Sequence, residues 1–496
     1  MQLLLALLLA LSLMRPMTLG GEAGEVVFVF DLSASMQADG GDGTRLSHAI
    51  EDAKKRLAGL PDGARASILT AGAQVKQPLA RSGDSLAARR ALDALQAENG
   101  GADLDGALSL AIALQKELTD AQVVVYTDRP LPKGDFSQPS VGPGLDNLTI
   151  LSLNATDTAA VARVANYGAQ IEAELECYAD GRLCDVRTLS LLEGEIASVQ
   201  FDLPGASQRV EARLTGRDAL EKDNTRLWVA RDKGATTVVL AGRDNVFVEK
   251  ALALRSDVTV VKTTPEEAAQ VKGGALTVLD GPLPEALPER GALLLIDPDA
   301  RVGALQSAPA ALSPALGPLA DLLNEFVQVS EIQVARWRPV VGGTPVWTAE
   351  GQPVLSIVEE DGRRVAVIGF DLHESNLPLL KEFPIFMQRL LAYLAPEPLG
   401  AGFEDGVCGA PISILPQSFA RSAEVRTPSG RVVSIPVTGG TLTDTDEIGV
   451  YTLVQTDEAG ALTSLPFALH IPSSESDVRA SAAGTEQAAV KGRGAT

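Results

Sequence analysis

Three cysteines and three histidines in 496 residues leave little from which to build a disulfide framework or a histidine-cysteine metal site. Aromatic residues make up only 4% of the chain, and 42 Lys and Arg are outnumbered by 64 Asp and Glu for a net charge of −22. A chain this acidic is not a general binder of nucleic acid or of anionic surfaces. Familiar catalytic signatures are missing as well. There is no Walker A loop, no Gly-x-Ser-x-Gly elbow and no His-Glu-x-x-His, the nearest approach being His373-Glu374 without its second histidine. Beyond the first twenty residues no apolar run is long enough to cross a membrane.

The chain opens with Leu3 to Met14, an apolar run that stops at Arg15-Pro16. No basic residue precedes it, so residues 1–20 read as a hydrophobic anchor or signal segment, with attachment to a membrane favoured over cleavage. Arg15 favours a cytoplasmic placement of the domains on its carboxyl side, whereas a disulfide between Cys177 and Cys184 would favour the outside, so the side of the membrane stays open. The length calls for three or four domains.

Val26 to Phe30 is a run of five apolar residues, expected to be a strand buried on both faces of a parallel sheet. Its end turns polar at once: Asp31, Ser33 and Ser35 place three hard oxygen donors at alternate positions where open α/β sheets carry their binding loops. Such donors suit Mg²⁺, with Mn²⁺ or Ca²⁺ as alternatives. The competing expectation is that Ser33 and Ser35 only cap the following turn. An amphipathic helix over 45–60, strands over 66–70 and 74–79, a helix over 84–97 and another from Asp103 to about Leu118 come next. The strand over 122–126 leads to Thr127-Asp128, which brings a second carboxylate to the same sheet edge, and 148–153 is expected to close the sheet.

From about residue 155 short alternating segments predict a β-sandwich. Asp180-Gly181 predicts a type I′ hairpin that sets Cys177 opposite Cys184, within reach of a disulfide or as reduced packing residues. A second α/β pattern runs from Thr237 to Leu394, with Pro384 expected to kink or restart its last helix. Short strands return over 401–472, and 473–496 is rich in Ser, Ala, Gly and charge, as in a disordered tail. The fold class is thus α/β multidomain. Its parts are an anchor at 1–20, a doubly wound sheet at 23–154, a sandwich at 155–232, a second α/β domain at 235–396, another sandwich at 401–472 and the tail.

Asp-x-Ser-x-Ser after a buried strand, with Asp128 beside it, resembles the metal-ion-dependent adhesion site of von Willebrand factor A domains. The resemblance implies a Mg²⁺ held by Asp31, Ser33, Ser35 and Asp128, whose coordination a partner's carboxylate completes. The family's threonine is replaced here by Ala102, so water or the adjacent Asp103 must take its place. The 235–396 pattern resembles a class I glutamine amidotransferase domain in a degenerate form. No cysteine lies between Cys184 and Cys408, Asp280-Gly281 stands where the nucleophile would be, and His373 lacks the family's His-x-Glu spacing. No enzyme is expected.

Across nearly its whole length the chain resembles bacterial membrane-anchored A-domain proteins of the BatA, aerotolerance-regulator type. The features that carry this are Asp31 to Gln37, Val164-Ala165-Asn166-Tyr167-Gly168, Asp223-Asn224-Thr225 and the run Gly369 to Leu379. Relatives often carry further hydrophobic helices before and after these parts, and truncation at either end or a gene-model error would explain the difference. The resemblance also implies a cell-envelope location and work with a MoxR-type AAA+ ATPase in assembly or stress tolerance. A ligand-sensing role for the amidotransferase-like domain is the alternative.

Overall fold

The computed structural model describes residues 24–479, apart from 119–120, 133, 217, 232–235, 256–257, 272–273, 301, 361–362, 401–402, 404, 418–419 and 458–459. The expected anchor at 1–20 lies outside the described residues, and no helix among those described is long and apolar enough to cross a membrane. The chain forms two compact units. One comprises the described residues through Trp228 with Val407–Ala410 and the stretch from His470, and the other comprises Val229–Gly406 and Pro411–Leu469.

In the first unit, strand β1 (Glu25–Asp31) is central because its apolar residues need cover on both faces. It pairs in parallel with β2 (Arg65–Ala71) and β4 (Ala121–Tyr126), while β3 (Val75–Ser82) adds an antiparallel edge to β2. Helix α1 (Arg45–Ala58) covers the face carrying Phe28, Phe30 and Tyr126, where the Phe30 and Tyr126 rings stack at 4.9 Å. Helix α2 (Ser85–Asp93), capped by Asp84, covers the same face, and α3 (Leu104–Glu117) covers Val27, Val29 and Val125 on the other. The sheet edge beyond β4 carries, among the described residues, a parallel bridge from Val124 to Ser137.

The expected closing strand at 148–153 goes elsewhere. Strand β5 (Leu148–Ala155) pairs antiparallel with β6 (Ala159–Asn166) through a short turn, and β6 pairs with β9 (Ile196–Asp202). Leu148, Ile150 and Leu153 thereby join the core of the β-sandwich, whose other sheet contains β7 (Ile171–Ala179), β8 (Arg182–Leu191), β10 (Arg209–Thr215) and β11 (Thr225–Val229). The first α/β layer therefore ends before residue 148, because β5 gains a hairpin partner immediately after it.

Asp180 and Gly181 adopt positive φ of 47° and 78° and make the tight turn between β7 and β8. Tyr178 faces Leu183 as expected, but a bulge comes next and Cys177 pairs with Asp185. Cys184 falls in the bulge and both thiols are free, so the cross-strand cysteine register is corrected by one inserted residue.

In the second unit, β12 (Thr236–Gly242), β13 (Val258–Thr263), β14 (Leu276–Asp280), β15 (Ala292–Ile296) and β20 (Arg363–Ile368) make a parallel array in the order β13-β12-β14-β15-β20. Four antiparallel strands extend it: β16 (Ala310–Pro314), β17 (Gln333–Val334), β18 (Thr344–Ala349) and β19 (Gln352–Glu360). Pro384 lies in the first turn of the helix Glu382–Leu394, where its missing N–H is not needed, so the proline helps to restart the helix. Residues Ser422–Arg426, Val432–Ile435, Gly449–Thr456 and Leu462–His470 form an antiparallel sheet beside a ladder of Ile412–Ile414 with Gly440–Leu442.

Candidate metal centre

The register of β1 fixes the site. Asp31 pairs with Ala71 on one side, and Phe30 pairs with Tyr126 on the other, so Asp31 and the Thr127-Asp128 pair emerge together at the carboxyl edge of the sheet. Asp31 is fully buried. Its Oδ1 accepts a hydrogen bond from the Ser33 amide at 2.8 Å, and its Oδ2 accepts one from the Thr127 hydroxyl at 2.7 Å. Burial pushes the Asp31 carboxyl up, and the bonds from Ser33 and Thr127 pull it back.

Ser33 and Ser35 are also buried, with their hydroxyl oxygens 3.2 Å apart. Ser33 is the N-cap of the short 3₁₀ turn Ala34–Gln37, yet its side chain makes no capping hydrogen bond. The hydroxyl is thus left beside Asp31 and is not spent on the turn. Asp128 is buried and ion-paired through Oδ2 to Arg45, while its Oδ1 has no hydrogen-bond partner among the described residues. Two hydroxyls, a fixed carboxylate and an orphaned carboxylate oxygen form a donor set that fits a small hard cation. Among the described residues no three His, Cys, Asp or Glu side chains are grouped as a metal cluster, so such an ion would depend on hydroxyl and water oxygens.

Asp103 is not brought into this buried group. It is exposed, and its Oδ1 caps α3 by accepting from the Gly106 amide at 2.9 Å. The expectation that it replaces the missing threonine is corrected on that ground. Ala102, half-buried, packs against the apolar cluster under α3.

Three residues that pattern reasoning passed over complete the site. Thr127 holds Asp31 across the strands. Arg45 is 1% exposed at the first position of α1, held between Asp128 and the carbonyl oxygens of Val478 and Pro143 at 2.5 and 3.4 Å. Burial lowers its pKa against the pull of Asp128. Glu475, from the stretch expected to be disordered, is 2% exposed, ion-paired to Arg129 and 3.5 Å from the Ser35 amide. The expectation of a disordered tail from residue 473 is therefore corrected over 473–479, whereas 480–496 lies outside the described residues. The adjacency of Thr127 to Asp128 was a signal for the first of these; the other two carry none in their local sequence.

Residues 26–130 match the family model described as von Willebrand factor type A domain. The site lies in a von Willebrand A domain. Residues 407–468 match a domain of unknown function (DUF8816). No curated protein matches the chain. Among solved structures it is similar to the conserved hypothetical protein BatB from Bacteroides thetaiotaomicron, at 20% identity over 22% of this chain and 56% of that one, with a TM-score of 0.20. It is similar to an aerotolerance-related membrane protein from Bacteroides fragilis at 22% identity over 22% and 57%, with a TM-score of 0.19. The A domain of the type V pili tip protein Mfa5 from Porphyromonas gingivalis matches at 17% identity over 27% and 43%, with a TM-score of 0.18. The chain spans a little over half the length of the first two.

The second unit has its own polar cluster at the carboxyl ends of its parallel strands. Arg243 pairs with Asp280 at 3.1 Å, Asp297 at 2.9 Å and Asp371 at 2.6 Å. Asn245 donates to Asp280 at 2.7 Å, and His373 lies 3.0 Å from Asp371. Asp280, at the end of β14, is thus held by an arginine and an amide.

Proposed function

We propose that this chain is a noncatalytic interaction protein whose A domain binds a partner's carboxylate through a Mg²⁺ ion held by Asp31, Ser33 and Ser35, with Asp128 beside them. The observation that carries the reading is the buried group of Asp31 and two serine hydroxyls, that of Ser33 not spent on capping, next to the unpartnered Asp128 oxygen. When bound, the ion supplies a positive charge that an incoming carboxylate can ligate in a site shielded from water. The chain's residues do the rest: Thr127 and the Ser33 amide orient Asp31, and Arg45 holds Asp128. The sequence resemblance to BatA-type proteins supports a membrane-associated place in the bacterial envelope and work with a MoxR-type AAA+ ATPase. Isothermal titration of the full chain with Mg²⁺ is expected to give binding heat that Asp31→Ala abolishes; equal null heats from both proteins would remove the metal role.

The Arg243 cluster favours a second reading, in which the other unit senses a small ligand at the ends of its parallel strands. A thermal-shift screen in which a hit loses its effect on Asp280→Asn would support it, and hits indifferent to that change would not.

A further inference from the structure

Residues 473–479 lie along the A-domain site as an anchored segment with two side chains inserted. Glu475 reaches the site, paired with Arg129 and facing the Ser35 amide. Three residues on, Val478 is fully buried against Ala38 and Ala219, and its carbonyl accepts from Arg45 at 2.5 Å and from the Leu145 amide at 3.1 Å. Between them the Ser476 carbonyl accepts from the Asn147 side chain at 3.0 Å, and its hydroxyl lies 3.2 Å from that of Thr149.

A surface ion pair with Arg129 would not need this burial. Glu475, 2% exposed, is withdrawn from water and sets its Oε2 3.5 Å from the Ser35 amide, at the group that already holds Asp31 and Asp128. Of these three carboxylates, Asp128 pairs with Arg45 and Glu475 with Arg129. A buried carboxylate in such company is stable when a further positive charge is at hand, which is what a site for a carboxylate ligand provides.

We propose that Glu475 occupies the position of the partner's carboxylate, and that the groove holding 473–479 exchanges this segment for a partner segment with a glutamate three residues ahead of an aliphatic side chain. The proposal deepens the reading above, taking the carboxylate as the group the site receives. The occupant in cis is the template for the partner: an acidic anchor over the site and an aliphatic anchor beside Ala38.

The test uses the full chain and a labelled synthetic peptide of residues 471–479. In the presence of Mg²⁺ the peptide should bind a Glu475→Gln, Val478→Ser chain more tightly than the parent, by on the order of ten-fold, because the parent's groove is filled. A peptide with glutamine in place of its glutamate should bind neither. Hydrogen exchange reports the segment independently: in the unmutated chain, excess peptide should speed exchange across 473–479. Equal peptide affinity for both chains, with exchange showing the segment released in the variant, overturns the proposal. Mg²⁺ titration of the same proteins separates the two readings. Mg²⁺ heats without peptide exchange leave the metal reading standing and remove the groove, whereas peptide exchange without Mg²⁺ heats supports the groove and removes the metal.

Discussion

The hydroxyl of Thr127 donates to Oδ2 of Asp31 across 2.7 Å, tying the ends of two parallel strands together at a fully buried carboxylate. Replacing Thr127 with valine keeps the shape and removes the donor. Asp31 then loses one of its two hydrogen-bond donors, and Thr127→Val should destabilise the first unit by about 1–3 kcal/mol. Urea denaturation followed by hydrogen exchange of β1 is the measurement; an unchanged midpoint would show the bond to be energetically silent.

Arg45 and Asp128 make a buried pair. Removing one partner strands the other charge, so Arg45→Met should cost about 3–5 kcal/mol, while the double change with Asp128→Asn should recover most of it. A double-mutant cycle on the same unfolding transition reads this. Additive losses would mean that Arg45 acts through partners other than Asp128, the Val478 and Pro143 carbonyls among them.

Burial pushes the Asp223 carboxyl up to about 7, against hydrogen bonds from Ser476 and Asn147. The unfolded chain titrates this group near ~3.9. Between those values the native state holds the extra proton, so this group's contribution to stability falls as pH rises from about 4 to about 7. Asp223→Asn should match the parent near pH 4 and exceed its stability at pH 8, by on the order of a few kcal/mol. Urea midpoints of the two proteins at both pH values check the sign, and a gap that opened toward acid would contradict it.

Cys177 and Cys408 are buried, Cys184 is half-exposed, and all three are thiols outside any disulfide. Burial raises the Cys177 thiol to about 11. Iodoacetamide at neutral pH should therefore modify Cys184 in the native chain and reach the other two only on unfolding. Peptide mapping by mass spectrometry will show the order; a Cys177–Cys184 crosslinked peptide before reduction would contradict the bulged register.

Much of the fold is legible in the residues. Val26 to Phe30 announce a strand covered on both faces, and the polar residues after it and after Tyr126 place two carboxylates at one sheet edge. Strand β5 escapes a reading of this kind because an apolar strand declares its burial but not its partner, and the hairpin with β6 wins. Asp180-Gly181 reveals its turn, whereas the bulge at Cys184 leaves no mark in the turn chemistry. Arg45 lies where a helix pattern expects a solvated charge, and its burial comes from the strand-end aspartate and from Val478. Glu475 is beyond local reading, since its contact with Ser35 spans 440 residues of chain.

That span also sets a timetable. With synthesis at about 5–20 residues per second, Ser35 leaves the ribosome roughly 20–90 s before Glu475. In the part of that interval after Ala219 has emerged, the groove beside β1 and β4 has no segment of its own chain to receive. A nascent chain in this state presents an open acidic-ligand groove, and a partner that arrives during translation meets no competitor, whereas one that arrives later must displace 473–479.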